Sequence, residues 1–173
     1  MVLAEEKKGA KPRFTIGKDT RISCDLLKGS LIGGLCSAGA DVLDLGTIPT
    51  PAVAWATVAY QADAGIVISA SHNPFEHNGI KVFNGQGFKL SDELEEKIEE
   101  IVLYGANNVP RKTHGEIGKV SYIAPKAVDD YVDHLVETVD GELSDLRILV
   151  DCANGASYTT AAKVFDRFDK LRT

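Results

Sequence analysis

The stretch AGIVISASHNP, Ala64 to Pro74, decides how the fold of this chain is read. Its first seven residues, Ala64 to Ala70, are nearly all apolar, which is the composition of a strand covered on both faces, not of one that alternates toward solvent. A strand of that kind belongs to a parallel sheet with helices above and below it. The run then breaks on Ser71, His72, Asn73 and Pro74, three polar side chains and a proline that turn a chain. In open α/β sheets ligands gather beyond the carboxyl ends of the strands, and this strand delivers Ser71, His72 and Asn73 to that edge.

The flanking sequence supports the same architecture. RFTIG (Arg13–Gly17) is a short β-rich run ending on glycine, and Leu26, Leu27, Leu31, Ile32 and Leu35 follow it at helical spacing. ADVLDLG (Ala40–Gly46) reads as the next strand, and Thr50 with Pro51 predicts the cap and first turn of a helix running through Tyr60. The order strand, helix, strand, helix, strand predicts an α/β fold, a mainly parallel mixed sheet with helices on both faces. GIKVFN (Gly79–Asn84) alternates between glycines and predicts a strand paired beside Ala64–Ala70 after a tight loop. SDELEEKIEEIV opens with cap-type residues and predicts a helix with Leu94, Ile98, Ile101 and Val102 inward and its acidic residues in solvent. A second amphipathic helix is expected from about Pro125 to Val139, with Val128, Tyr131, Val132, Leu135 and Val136 inward.

Past a linker at GELSD, the run LRILVD from Leu146 predicts another strand, CANGAS a turn and YTTAAKVFDRF another helix. A single βα unit cannot cover its own apolar faces. The expected division is therefore a first α/β domain over residues 1–140, lacking its first elements, and over residues 146–173 the opening βα unit of a second, similar domain. MVLAEE reads as the tail of a helix. Apolar surface left at these ends predicts self-association or local disorder.

Composition narrows the function classes. The chain has 173 residues, 44% hydrophobic and 25% charged, enough for one substantial core. Its net charge of −6 and scattered basic residues exclude the footprint of a nucleic-acid binder. No apolar stretch approaches a membrane span, and the first residues turn charged too soon for a secretory signal, so the expected location is the cytoplasm. Cys24, Cys36 and Cys152 lack the spacing of a zinc site or a disulfide framework and read as reduced core thiols.

A serine at a strand's carboxyl end acts as a nucleophile or phosphoryl carrier if neighbours handle its proton and its charge. His72 and Lys81 are the nearest candidates: His72 as a proton shuttle or hydrogen-bond donor to a phosphate oxygen, Lys81 as a positive charge returning on the neighbouring strand. The same residues also fit a plain polar turn and a solvated strand lysine. Ser69 is the rival serine, but its place in the apolar run favours packing. His72 and His77 lack the further ligands that a metal needs. GKDTR (Gly17–Arg21) faces the same edge. There Arg21 suits a bidentate phosphate contact, while Asp19 or Thr20 as a helix cap with a surface arginine fits equally well. NGQGF (Asn84–Phe88) reads as a simple turn.

The stretch AGIVISASHNPFEHNGIKVFNGQGFKL resembles the active-site segment of the α-D-phosphohexomutase superfamily, and in particular its bacterial phosphoglucosamine mutase branch. TIGKDTRIS, GTIPTPAVAW and ILVDCANGA resemble the same family in the same order, so the resemblance covers nearly the whole chain. It implies the family's first domain, with Ser71 as the phosphorylated serine and His72 and Lys81 on motif positions of the active site; Arg21 and Asn73, at the same edge, are the expected substrate- or phosphate-binding residues. It also implies Mg²⁺, held at Ser71 through the phosphate, a hexose phosphate substrate and a hexose bisphosphate activator. Phosphorylated Ser71 would give its phosphoryl group to one hydroxyl of the sugar phosphate, and the resulting bisphosphate would reorient and return the other. The chain departs from the family by absence: the FGTDGIRG-like segment, the acidic metal loop, the sugar-reading loop and the fourth domain are missing. Cys24 stands where relatives usually have glycine, and DRFDKLRT does not continue as relatives do. The expected parent reaction interconverts glucosamine 6-phosphate and glucosamine 1-phosphate, with a phosphomannomutase or phosphoglucomutase, or a non-catalytic fragment, as alternatives. The chain alone is expected to be a poor or inactive enzyme.

Overall fold

A computed structural model describes residues 10–105, 109–140 and 146–168. The expected helix tail at MVLAEE and the linker at GELSD lie outside these residues. The elements run β1 (Arg13–Lys18), α1 (Cys24–Ser37), β2 (Asp41–Thr47), α2 (Thr50–Ala59), β3 (Ala64–Ile68), β4 (Ile80–Asn84), α3 (Asp92–Glu100), β5 (Val120–Tyr122), α4 (Ala124–Glu137) and α5 (Ala161–Asp166). The strands form one sheet in the order β4-β3-β1-β2-β5. All pairs are parallel except β3–β4, whose register sets Val67 opposite Lys81 and Ile68 opposite Ile80.

Every residue of β3 is buried. Ile66 and Ile68 point into a cluster with Ile16, Val42 and the α1 side chains Leu27 and Leu31. Val67 points the other way, among Leu45, Val53, Ala56, Tyr131 and Val132 from β2, α2 and α4. Burying a side chain of this size is worth roughly 1.5–3 kcal/mol, so the continuous apolar run stabilises both layers at once. The chain steps from β1 to β2 in one direction and then back across β1 to β3. Right-handed crossovers therefore require α1 and α2 on opposite faces, where they are found. That reversal leaves the carboxyl ends of β1 and β3 side by side, and the loops that follow them pack together.

Two glycines make the close packing possible. A Cβ at Gly17 would lie 2.4 Å from Val53 Cγ2, so α2 approaches the end of β1 only over a bare backbone. A Cβ at Gly65 would lie 2.1 Å from Thr57 Oγ1. There the buried hydroxyls of Thr15 and Thr57 share a hydrogen bond of 2.7 Å, and Thr57 donates onward to Val53 O. Asp44, also buried, accepts from Lys28 Nζ at 2.8 Å and from the Gly46 amide at 2.9 Å.

Several expectations need correction. β5 was not foreseen, because three residues are too few to show an alternating pattern; it closes the edge of the sheet beside β2. Leu146–Val150 forms no strand: Leu149 is 96% exposed, and no neighbouring strand offers its backbone a ladder among the described residues. α3 does not bury its apolar stripe, since Ile98 and Val102 face solvent and the helix passes into a π turn at Ile101–Gly105. Thr50 is the first residue of α2, with Pro49 at the cap, and α1 starts after Ser23 with no side-chain cap. Of the three free thiols only Cys24 is fully buried. α5 rests on α4 through Lys163–Asp129 at 2.7 Å and Arg167–Asp133 at 3.2 Å.

Candidate functional site

β1 and β3 both end at one cleft of about 1050 Å³. Its walls are the loop after β1 (Asp19–Ile22), the loop after β3 (Ser71–Asn73 and Phe75), and the turn Ala153–Gly155 with Tyr158. Thr20 Oγ1 donates to Asn154 O and joins the first wall to the third.

Ser71 is exposed on the cleft wall with a φ of 57°, a left-handed conformation that a non-glycine residue adopts only when its surroundings hold it there. Two contacts hold the residue from either side. Its amide donates to Ser69 Oγ at 3.2 Å, and its carbonyl accepts from Arg21 Nη2 at 2.8 Å. Ser71 Oγ lies 3.3 Å from His72 Nδ1, so serine and histidine sit within reach of a shared proton. Asn73 lines the same wall, its amide donating to Ala70 O at 3.1 Å and its carbonyl accepting from Arg21 at 2.9 Å.

Arg21 occupies an unexpected place. Its side chain is 8% exposed, and the full set of guanidinium N–H groups is engaged: Nε with Asp19 Oδ2 at 3.1 Å, Nη1 with Pro74 O and His77 O, Nη2 with Ser71 O and Asn73 O. A bidentate grip on phosphate needs two of those donors free, so the geometry does not give Arg21 that contact. The helix-cap reading of Asp19 and Thr20 fails too. Asp19 instead takes the Thr20 amide at 2.8 Å on Oδ1, and Arg21 and, at 3.4 Å, Ser69 on Oδ2.

Lys81 is exposed on β4 and lines a neighbouring hollow with Thr50, Phe83, Lys89 and Glu95, not the cleft that holds Ser71. Its place opposite Val67 turns it to the α2 side of the sheet. Ser69 is buried, as expected, but it also orients Ser71. Sequence reading missed that link and the part of Asp19, although GKDTR carried a signal in an acid and an arginine placed straight after a strand.

Residues 1–108 match the model of a family described as phosphoglucomutase/phosphomannomutase, alpha/beta/alpha domain I. The chain belongs to the phosphoglucomutase/phosphomannomutase family. Among curated members of the family it is similar to a phosphoglucosamine mutase of Syntrophomonas wolfei, 50% identical over 96% of the chain and 37% of the relative. A phosphoglucosamine mutase of Acetivibrio thermocellus is 52% identical over 95% of the chain and 36% of the relative. The chain thus spans little more than a third of the length of these curated relatives. Its structure superimposes on a phosphoglucomutase/phosphomannomutase family protein from Burkholderia thailandensis with a TM-score of 0.74 and 25% identity, over 99% of the chain and 36% of that protein. No helix among the described residues is long and apolar enough to cross a membrane.

A Mg²⁺ ion is the metal that this family resemblance implies at Ser71. A hard cation wants several oxygen ligands. Among the described residues no group of three metal-binding side chains exists, and the Asp19 carboxylate beside the cleft is already committed to three donors. These residues alone do not fit the ion.

Proposed function

We propose that Ser71 carries a phosphoryl group in a phosphohexomutase reaction. The observation behind this reading is the exposed Ser71 hydroxyl, held at the carboxyl end of β3 in a left-handed turn with His72 Nδ1 3.3 Å away. When a sugar hydroxyl attacks the phosphorus of phosphorylated Ser71, the bond to Ser71 Oγ breaks as the bond to the sugar oxygen forms. The sugar hydroxyl loses one proton and Ser71 Oγ gains one, and His72 stands where it can give Oγ that proton. The second half reverses these steps with the other phosphate of the bisphosphate, which restores the serine phosphate and releases the isomer.

The names of the relatives support glucosamine 6-phosphate and glucosamine 1-phosphate as the sugar pair. A phosphomannomutase or phosphoglucomutase is the second reading, favoured by the family model, whose description covers both. In the same reading the protein acts in the cytoplasm, and residues 146–173 open a second α/β unit. The sugar is tested on the full-length protein, phosphorylated from a hexose 1,6-bisphosphate and then given single hexose phosphates. Glucosamine 6-phosphate should remove the serine phosphate fastest; faster removal by mannose 6-phosphate or glucose 6-phosphate would favour the second reading.

A further inference from the structure

We propose that Arg21 is a positioning residue, which shapes the Ser71 turn for phosphoryl transfer and takes no phosphate itself. This rests on the reading of Ser71 as the phosphoryl carrier. The carbonyls of Ser71, Asn73, Pro74 and His77 all point at one guanidinium, at 2.7–2.9 Å. Four carbonyl dipoles aimed at one spot repel each other unless a cation sits between them, so the turn closes around Arg21. The planar fork supplies enough fixed donors for this, whereas a lysine has three donors on a compact ammonium and would leave carbonyls unpartnered.

The other half of the device is Asp19. It neutralises Arg21 through Oδ2 and receives the hydroxyl of Ser69, which in turn accepts the Ser71 amide. The carbonyl of Ser71 is thus fixed by Arg21 and its amide by the Asp19–Ser69 pair, on either side of the one residue in the turn with positive φ. Because the Asp19 carboxylate cancels the guanidinium charge and no N–H is left over, the pair offers the cleft geometry and not an anion site.

The test uses the full-length protein with Arg21→Lys and Arg21→Gln, in two measurements. The first follows single-turnover labelling of Ser71 across a range of hexose 1,6-bisphosphate concentrations. Misplacing a reacting group by about 1 Å costs on the order of 10²-fold in rate. The maximal rate should fall by about that factor in both variants while the half-saturating concentration stays within about twofold. A raised half-saturating concentration at an unchanged maximal rate would make Arg21 a phosphate ligand and overturn the proposal. The second measurement needs no activity: in amide NMR spectra Ser71, His72 and Asn73 should shift and exchange faster in both variants, while Ile66 and Val67 in β3 stay protected. Loop amides unchanged in Arg21→Gln would overturn the clamp whatever the labelling shows. A full-length wild type that takes no phosphate would instead count against Ser71 as carrier, and the amide comparison would still decide the part of Arg21.

Discussion

Gly65→Ala puts a methyl group into the tightest contact under the strand that leads to Ser71. The new Cβ would lie 2.1 Å from Thr57 Oγ1 and 2.9 Å from Thr15 Oγ1, well inside contact distance for carbon and oxygen. β3 is hydrogen-bonded to β1 on one side and β4 on the other, so the strand cannot step aside without breaking ladders. The helix α2 must lift, or the buried 2.7 Å hydrogen bond between Thr15 and Thr57 must open. Overpacking costs about 1–3 kcal/mol, and a buried hydroxyl without a partner about 1–3 kcal/mol more. The expected loss is about 2–6 kcal/mol, a large share of the roughly 5–15 kcal/mol that holds an ordinary domain together. Thr57→Ala alone should cost about 1–3 kcal/mol, because the Thr15 hydroxyl loses its acceptor. The double variant should lose less than the sum of the two, since removing Thr57 Oγ1 leaves Thr57 Cβ, at 3.3 Å, as the nearest side-chain atom of α2. Urea unfolding of the four proteins closes this cycle. A Gly65→Ala loss below about 1 kcal/mol, or strict additivity, would refute the packing argument.

Three further outcomes follow from the same geometry. Lys28→Met leaves the buried Asp44 carboxylate without its cation and should cost about 3 kcal/mol in urea unfolding, while Asp44→Asn in the same background should restore part of it; equal stability of the single variant and wild type would contradict this. Burial, with the hydrogen bond to Asp130 next, raises the Tyr60 phenol, and burial raises Tyr131. Both favour the neutral form in the fold, so their stabilisation is complete below the ordinary phenol value near 10 and is lost as pH rises through the raised values; absorbance titration should show these two tyrosines ionising last. Mg²⁺ should bind the unphosphorylated chain only weakly, and submillimolar affinity in calorimetry would show a ligand set that the described residues do not provide.

What the sequence made legible follows from what residue type alone can encode. The apolar run Ala64–Ile68 announced a strand buried on both faces because both faces must be apolar for that. The polar break after it placed Ser71, His72 and Asn73 at one edge, and the structure brings those three to one cleft. Lys81 was harder to place, since nothing in spacing says to which side a short hairpin turns a side chain, and the β3–β4 register turns it toward another hollow. Arg21 stood open between two readings for a related reason. An arginine after a strand suits phosphate or carbonyls equally in sequence, and only three-dimensional closure shows four carbonyls converging on it. The run LRILVD has strand composition, but a strand also needs a neighbour, and among the described residues it has none. Amide exchange bears on residues 146–168: fast exchange at Leu149 and Val150 agrees with an opening unit, whereas strong protection in a monomeric chain would make the segment part of the first domain.

Whether Ser71 accepts the phosphoryl group is read by phosphopeptide mapping of the full-length protein after incubation with a hexose 1,6-bisphosphate. Wild type should carry one phosphate, on Ser71; Ser71→Ala should carry none, and Ser69→Ala should still be labelled on Ser71, more slowly, because the Ser71 amide has lost its acceptor. Phosphate found on Ser69 alone, or taken up unchanged by Ser71→Ala, would contradict the account.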